Sequence, residues 1–250
     1  MTLGNKKKDN TEIKLIIFDV DGPLASIHPC RDALLDYYRF LFQSPEFSWE
    51  QYQEILEDNF FVGCEKVKEK YGLIERVKMN EQKQKEHDAL FLATINARLK
   101  TGVYPGMFKV IQKLSGQSDV ILGMNTSASL KRLRASLGGE MIDMFDYMGI
   151  GVYQEDGEVD TFHNVSVLQH KRKGDKFQWM MNESDISDKN QVYWITDSIG
   201  DIKAGKAFGL PIENIIAVSW GVHTKEQVKE YDENVVISDK TEEVIDILRY

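Results

Sequence analysis

The chain has 250 residues, 42% of them hydrophobic and 28% charged, with a formal net charge of −9. That length can bury a full core for one α/β domain carrying an insertion, while the negative balance excludes a general nucleic-acid binder, which needs a basic face to displace phosphate counterions. No segment reaches transmembrane length, and the first ten residues, MTLGNKKKDN, lack the apolar stretch of a secretory signal, which predicts a cytoplasmic protein that engages no membrane.

The lysines at 6–8 read as a solvated tail. Residues 14–24 then read KLIIFDVDGPL. The apolar run over 15–18 has the pattern of a strand buried on both faces of a parallel sheet. It stops at Asp19, with Asp21 and Gly22 just behind. Two carboxylates at the end of a buried strand resist joint ionisation in a poorly solvated crevice. A metal cation relieves that crowding, and open α/β sheets bind ligands at this end of their strands. A plain strand-end turn, with both Asp residues capping backbone groups, is the competing reading.

No strand pattern follows until about residue 103. Asp32 is placed to cap a helix over 33–42, and Ser44-Pro45 breaks it. A second helix from near Ser48 carries Trp49, Tyr52, Ile55, Leu56 and Phe60 at helical spacing. Further helices are expected over 65–70 and 81–100, the latter with Leu90, Phe91, Ile95 and Leu99 on one side. This predicts a small helical bundle whose aromatic residues are core. Cys30 and Cys64 fall within it and are expected as reduced thiols.

Strand and helix then alternate. Tyr104-Pro105-Gly106 is a turn into a helix over 107–114, followed by a strand over 120–124 and the polar trio Asn125, Thr126 and Ser127. The next helix runs to Leu137 and ends at Gly138-Gly139, and 147–152 reads as a strand. Asp156-Gly157, between β-prone runs over 149–153 and 159–168, predicts a hairpin. Beyond it come a helix across 177–181, a strand over 191–195, a helix over 202–208 ended by Gly209, and a strand over 215–218. A helix over 225–230, a strand over 235–237 and a final helix capped by Thr241 complete the chain. Alternating units with short connections imply an α/β fold with a mostly parallel sheet and helices on both faces.

Parallel strands bring their carboxyl ends to one edge. That edge would collect Asp19, Asp21, Asn125, Thr126, Ser127, Thr196, Asp197 and Ser198, with Asp201 four residues after Asp197. Three or four carboxylates among hydroxyls suit Mg2+, which takes one or two carboxylates with waters and phosphate oxygens. A net negative chain can still bind a phosphorylated metabolite when a metal supplies local positive charge. His163 and His170 have no metal-ligand spacing with either cysteine, so zinc is not expected.

From residue 14 to the end the chain resembles the haloacid dehalogenase superfamily of hydrolases with a helical cap, similar to phosphoglycolate phosphatase. FDVDG is similar to its first motif, TDSIGD to its acidic motif, YPG at 104–106 to its return from cap to core, and AFGLP with VSWGVHTKEQV to later framework segments. The resemblance implies a Rossmann-like, doubly wound core over 1–24 and 104–250, with an inserted α-helical cap domain over 25–103. It implies a phosphomonoesterase acting on a small phosphorylated metabolite through an aspartyl-phosphate; a monomer or homodimer is expected. Asp19 would be the nucleophile and Asp21 the general acid/base, its carbonyl also on the metal. Asp197 would ligate Mg2+ and Asp201 would complete that shell. The resemblance calls for a hydroxyl or amide after the second strand: Thr126, with Asn125 close behind, and Ser127 as a helix cap. It calls also for a lysine beside Asp19: Lys173, with Lys171 and Lys176 as alternatives. Gly22 would lie in the phosphate loop.

Two departures stand out: Pro23 replaces the family's Thr, and Thr196 its Gly. Neither deletes a catalytic group. Ser26 and His28 lie where the cap begins; His28 reads as a surface loop residue. A phosphomutase of the same superfamily would share every core residue, and a catalytically silent binding protein is the alternative from another class. A dehalogenase or phosphonate hydrolase has no use for Asp21.

Overall fold

The computed structural model describes residues 12–56, 60–73, 80–151, 166–168 and 172–250. Seven strands form one parallel sheet: β1 (Lys14–Phe18), β2 (Val120–Asn125), β3 (Tyr147–Gly149), β4 (Ser166–Leu168), β5 (Val192–Thr196), β6 (Ile215–Val218) and β7 (Val236–Ser238). Their spatial order is β4-β3-β2-β1-β5-β6-β7, and every pairing is parallel. The winding therefore reverses beside β1, which lies between β2 and β5. Such a switch point opens a crevice at the carboxyl ends of the strands. The architecture is the parallel α/β fold expected from the alternation of elements, and the Rossmann-like core that the resemblance implies.

Leu15, Ile16, Ile17 and Phe18 of β1 are all fully buried, because alternate side chains feed two separate cores. Ile16 and Phe18 pack with α5 (Met107–Ser115), α6 (Leu130–Ile142) and α10 (Glu243–Leu248). Leu15 and Ile17 pack with α7 (Lys173–Glu183), α8 (Ile199–Phe208) and α9 (Lys225–Tyr231). Truncating any of the four to Ala would cost about 2–5 kcal/mol.

Between β1 and α5 lie α1 (Arg31–Phe42), α2 (Trp49–Leu56), α3 (Phe60–Tyr71) and α4 (Glu81–Leu99). They have a third core of their own, including Leu34, Tyr38, Phe42, Phe47, Trp49, Tyr52, Ile55 and Val67, joined by Val222 from the loop after β6. The chain enters and leaves this segment at one place. Ala25 and Val103 form an antiparallel bridge, flanked by Ser26 N to Gly102 O (3.3 Å) and Tyr104 N to Leu24 O (2.6 Å). Cys30 and Cys64 are both free and buried.

Several expected boundaries move. A 3-10 turn over His28–Cys30 leads directly into α1 at Arg31, so Asp32 sits in the first turn instead of capping it; there its charge still favours the helix dipole. The short helix expected over 65–70 begins at Phe60. On α4, Leu90, Phe91, Ile95 and Leu99 are only half-buried, and Thr94 is its buried residue. Ser129, not Ser127, caps α6 by accepting the Arg132 amide. Gly138 (φ 76°) kinks α6 without ending it, since buried Met141 and Ile142 hold the continuation in the core. β3 stops at Gly149, and α10 follows Glu242 instead of Thr241. Asp156-Gly157, the turn of the expected hairpin, and His163, His170 and Lys171 lie outside the described residues, but the described ends of its two runs, at Gly149 and at Ser166–Leu168, pair in parallel and are not opposed arms of one hairpin.

Candidate active site

Asp19 is the first residue beyond β1 and Asp197 the first beyond β5; they are 8% and 1% exposed. Burial pushes Asp19 up to about 8: Lys173 pulls it down, while Asp201 and Asp197 add repulsion. Burial likewise pushes Asp197 up to about 7, opposed by the Val222 amide and reinforced by Asp201. The backbone around Asp197 is shaped to hold it. Val222 N donates to its Oδ2 at 2.7 Å, and a Cβ at either Gly22 or Gly221 would overlap its side chain. Gly22 also needs its positive φ of 105°, closing the turn in which Leu24 N and Ala25 N both donate to Val20 O. Pro23 is buried in this turn, and its carbonyl accepts Trp220 Nε1 at 3.4 Å.

Lys173 begins α7 and aims its ammonium at the same edge. Its Nζ is 2.5 Å from Asp201 Oδ2 and 3.4 Å from Asp19 Oδ1. Burial disfavours its charge, but Asp19 and Asp201 outweigh this and push its pKa up. Thr196 donates its hydroxyl to Asp201 Oδ2 at 2.9 Å. Asn125 donates from Nδ2 to Lys173 O at 3.0 Å, which leaves its buried Oδ1 without a partner. Thr126 Oγ1 accepts the Ala128 amide at 3.0 Å, so its own proton remains free to donate. Lys176 runs instead to Thr126 O at 2.6 Å, its pKa pulled down to about 8 by burial and by Lys173. Of the described lysines considered for the site, Lys173 is the one that reaches Asp19.

Arg132 was not legible in the sequence. It lies on the first turns of α6 and grips Asp21 with both terminal nitrogens, Nη1 reaching Oδ2 at 2.6 Å and Nη2 pairing with Oδ1. Burial pulls its pKa down to about 10, against the attraction of Asp19. One signal existed. The helix opens LKRL with no acidic residue in its first turn, and cations there oppose the helix dipole. An Arg held in that position has an anion to meet.

His28 is exposed, yet its ring bonds Trp220 O at 3.2 Å. Gln53 donates to Val222 O at 2.5 Å and exchanges amide bonds with Gln227. Both contacts tie the helical segment to the loop behind Asp197. His223, beside that loop, is driven down to about 4 by burial and accepts the Ile199 amide, a neutral structural role. A concavity lined by Glu54, Lys66, Glu69 and Lys70 lies on α2 and α3; its Lys70 and Glu54 pair with each other at 2.8 Å, so it is an ion-paired surface apart from the acidic edge.

Among the described residues, no three His, Cys, Asp or Glu side chains gather as a metal-ligand group. Two do crowd: Asp19 and Asp197 repel each other in a buried crevice. Asp21 and Asp201 are taken by Arg132 and by Lys173 with Thr196. Two carboxylates completed by backbone carbonyl and water are what Mg2+ accepts, and the Gly22 and Gly221 cradle keeps room around Asp197. The donor set fits that ion.

The family model described as haloacid dehalogenase-like hydrolase matches residues 13–209. A search of curated proteins gives no match. Among solved structures, a predicted phosphoglycolate phosphatase from Haemophilus somnus is 17% identical at TM-score 0.62, covering 96% of this chain and 100% of its own. CbbY from Rhodobacter sphaeroides, in complex with phosphate, is 20% identical at TM-score 0.59, covering 93% and 96%. A structure named as a β-phosphoglucomutase from Thermotoga maritima is 18% identical at 0.58, covering 95% and 99%. At these identities they share the fold.

Proposed function

The chain belongs to the haloacid dehalogenase-like hydrolase family, and we propose that it is a Mg2+-dependent phosphomonoesterase acting on a small phosphorylated metabolite. The observation that carries this reading is Lys173, whose ammonium lies 3.4 Å from Asp19 and 2.5 Å from Asp201, with Asp197 buried beside them. In this reading Asp19 Oδ attacks phosphorus, the P–O bond to the leaving group breaks, and an aspartyl-phosphate forms on Asp19. Asp21 gives its proton to the leaving oxygen, then takes one from the water that cleaves the intermediate. Lys173 balances charge at Asp19, the kind of fixed electrostatic stabilisation that lowers such barriers most. Thr126 and Asn125 hold phosphoryl oxygens, Thr126 through its free hydroxyl proton and Asn125 through the second Nδ2 hydrogen, the first being given to Lys173 O, and Gly22 lets the backbone approach. Asp19, Asp197 and the Asp21 carbonyl would hold Mg2+, with Asp201 supporting that shell through Lys173. The ion supplies positive charge that lets an anionic nucleophile meet an anionic phosphate.

We further propose that residues 25–103 act as a cap over a core formed by 1–24 and 104–250, excluding water while the reaction proceeds. The single paired crossing at Ala25 and Val103 supports this. The free thiols of Cys30 and Cys64 support a cytoplasmic protein; among the described residues no helix is long and apolar enough to cross a membrane. A monomer or homodimer is the expected state. The test is phosphate release from a panel of phosphorylated metabolites, with and without Mg2+, by wild type and Asp19→Asn. Metal-dependent release that persists in Asp19→Asn would sink the covalent route, and isomerisation of a sugar phosphate in place of hydrolysis would assign a phosphomutase.

A further inference from the structure

We propose that Arg132 is a substrate-positioning residue: its guanidinium holds Asp21 in the resting site and passes to an anionic group of the bound substrate when Asp21 turns toward the leaving-group oxygen. This rests on the phosphomonoesterase reading for the part played by Asp21. It goes beyond that reading in assigning a specificity contact to α6.

Three observations carry it. Arg132 takes both oxygens of Asp21, so a carboxylate in that grip is turned away from any proton transfer to substrate. The Arg132 side chain is 12% exposed and its Nε is buried without a partner. If Asp21 left and nothing replaced it, a largely buried charge would lose its hydrogen-bonded partner, which is strongly unfavourable. An incoming anion offers the same planar, two-oxygen match. Finally, the helix that carries Arg132 also touches the helical segment. Ser136, one turn further along α6, lies 3.4 Å from Thr101 Oγ1 and donates to Arg98 O at 3.4 Å. Arg132 thus stands where the departing part of a substrate would lie, between the acidic edge and the segment that closes it.

The common chemistry is a pair of anionic oxygens, supplied either by the phosphoryl group or by a second anionic group, such as a carboxylate, on the leaving part. The position at the junction favours the second source. The experiment measures calorimetric binding of methylphosphonate and phosphonoacetate, in the presence of Mg2+, to wild type, Arg132→Lys and Arg132→Gln. The two ligands share the phosphoryl oxygens and differ in the added carboxylate, and neither needs turnover. Arg132→Gln is expected to weaken phosphonoacetate by about tenfold or more, the scale of one charge-assisted two-point contact, and to leave methylphosphonate within about twofold. Arg132→Lys, keeping charge but losing the fork, should fall between. Equal weakening of both ligands would support the handover with the phosphoryl group as the source. Unchanged binding of both in Arg132→Gln, or no binding of either by wild type, would overturn it. Phosphate release by wild type and its loss in Asp19→Asn judge the phosphatase reading separately, because the phosphonate result stands whether or not esters are cleaved.

Discussion

Thr196 donates its hydroxyl to Asp201 Oδ2 at 2.9 Å, on the side of the carboxylate that Lys173 also holds. The residue that departs from the family's usual glycine is therefore bonded to the same carboxylate oxygen as Lys173. Its oxygen also receives the Ser198 amide at 3.4 Å, at the cap of α8. Thr196→Val keeps the shape and removes both bonds, for a cost of about 1–3 kcal/mol in stability. Phosphate release should fall several-fold through kcat, with KM little changed. Activity equal to wild type would show that Asp201 needs no such support.

Lys173 separates two carboxylates that would otherwise face each other. In Lys173→Met the metal-free protein should lose about 3–5 kcal/mol, as for one partner removed from a buried pair. Chemical denaturation reads that directly. kcat should drop by about 10²–10³, the scale of one lost electrostatic contact to the reacting group. A variant that is less stable but equally active would place Lys173 outside the reaction.

Gly221→Ala brings a methyl group into the Asp197 side chain. Overpacking of this kind costs about 1–3 kcal/mol. Because Asp197 is the group displaced, Mg2+ affinity should weaken more than the melting temperature suggests. Metal titration followed by calorimetry checks it. Gly116→Ala is the control, since a Cβ there makes only ordinary contacts.

Asp19 and Asp197 keep protons in the folded, metal-free protein up to about 8 and about 7, because of burial and the carboxylates around them. The unfolded chain releases those protons near pH 4, so over this interval the folded state binds more protons and stability falls as pH rises. In a chelator, the melting temperature should therefore be higher at about pH 5 than at about pH 8. Magnesium should restore more stability at the upper pH, where the carboxylates are free to take it. A melting temperature that does not change between the two would remove the crowding of Asp19 and Asp197.

The parts of the molecule that could be read beforehand are those governed by neighbours in the chain. The run Leu15, Ile16, Ile17 and Phe18 signals a strand buried on both faces, and Asp19 and Asp21 mark its end. Gly209 ends α8 with a φ of 91°, as a glycine there should. Helix starts were harder, since they depend on side chains such as Ser129 whose capping bond cannot be told from that of Ser127 by composition alone. Lys173 could be narrowed to a cluster of lysines; only the first turn of α7 decides which ammonium meets Asp19. The bond of Arg132 to Asp21 spans 111 positions, and no local pattern encodes a partner at that distance.

The central place of β1 in the sheet has a consequence for how the chain is made. Its apolar strand leaves the ribosome before both of its neighbours, β2, at Val120, and β5, at Val192. At about 5–20 residues per second, the second of these arrives on the order of ten to forty seconds later. Until β2 is made this short, β-prone run has no partner within its own sheet, and until β5 arrives one of its edges stays open, the condition under which nascent chains pair with one another. The helical segment, made next and supplied with its own aromatic core, can fold before either neighbour of β1 exists, and β1 completes its pairing only once β5 has been made.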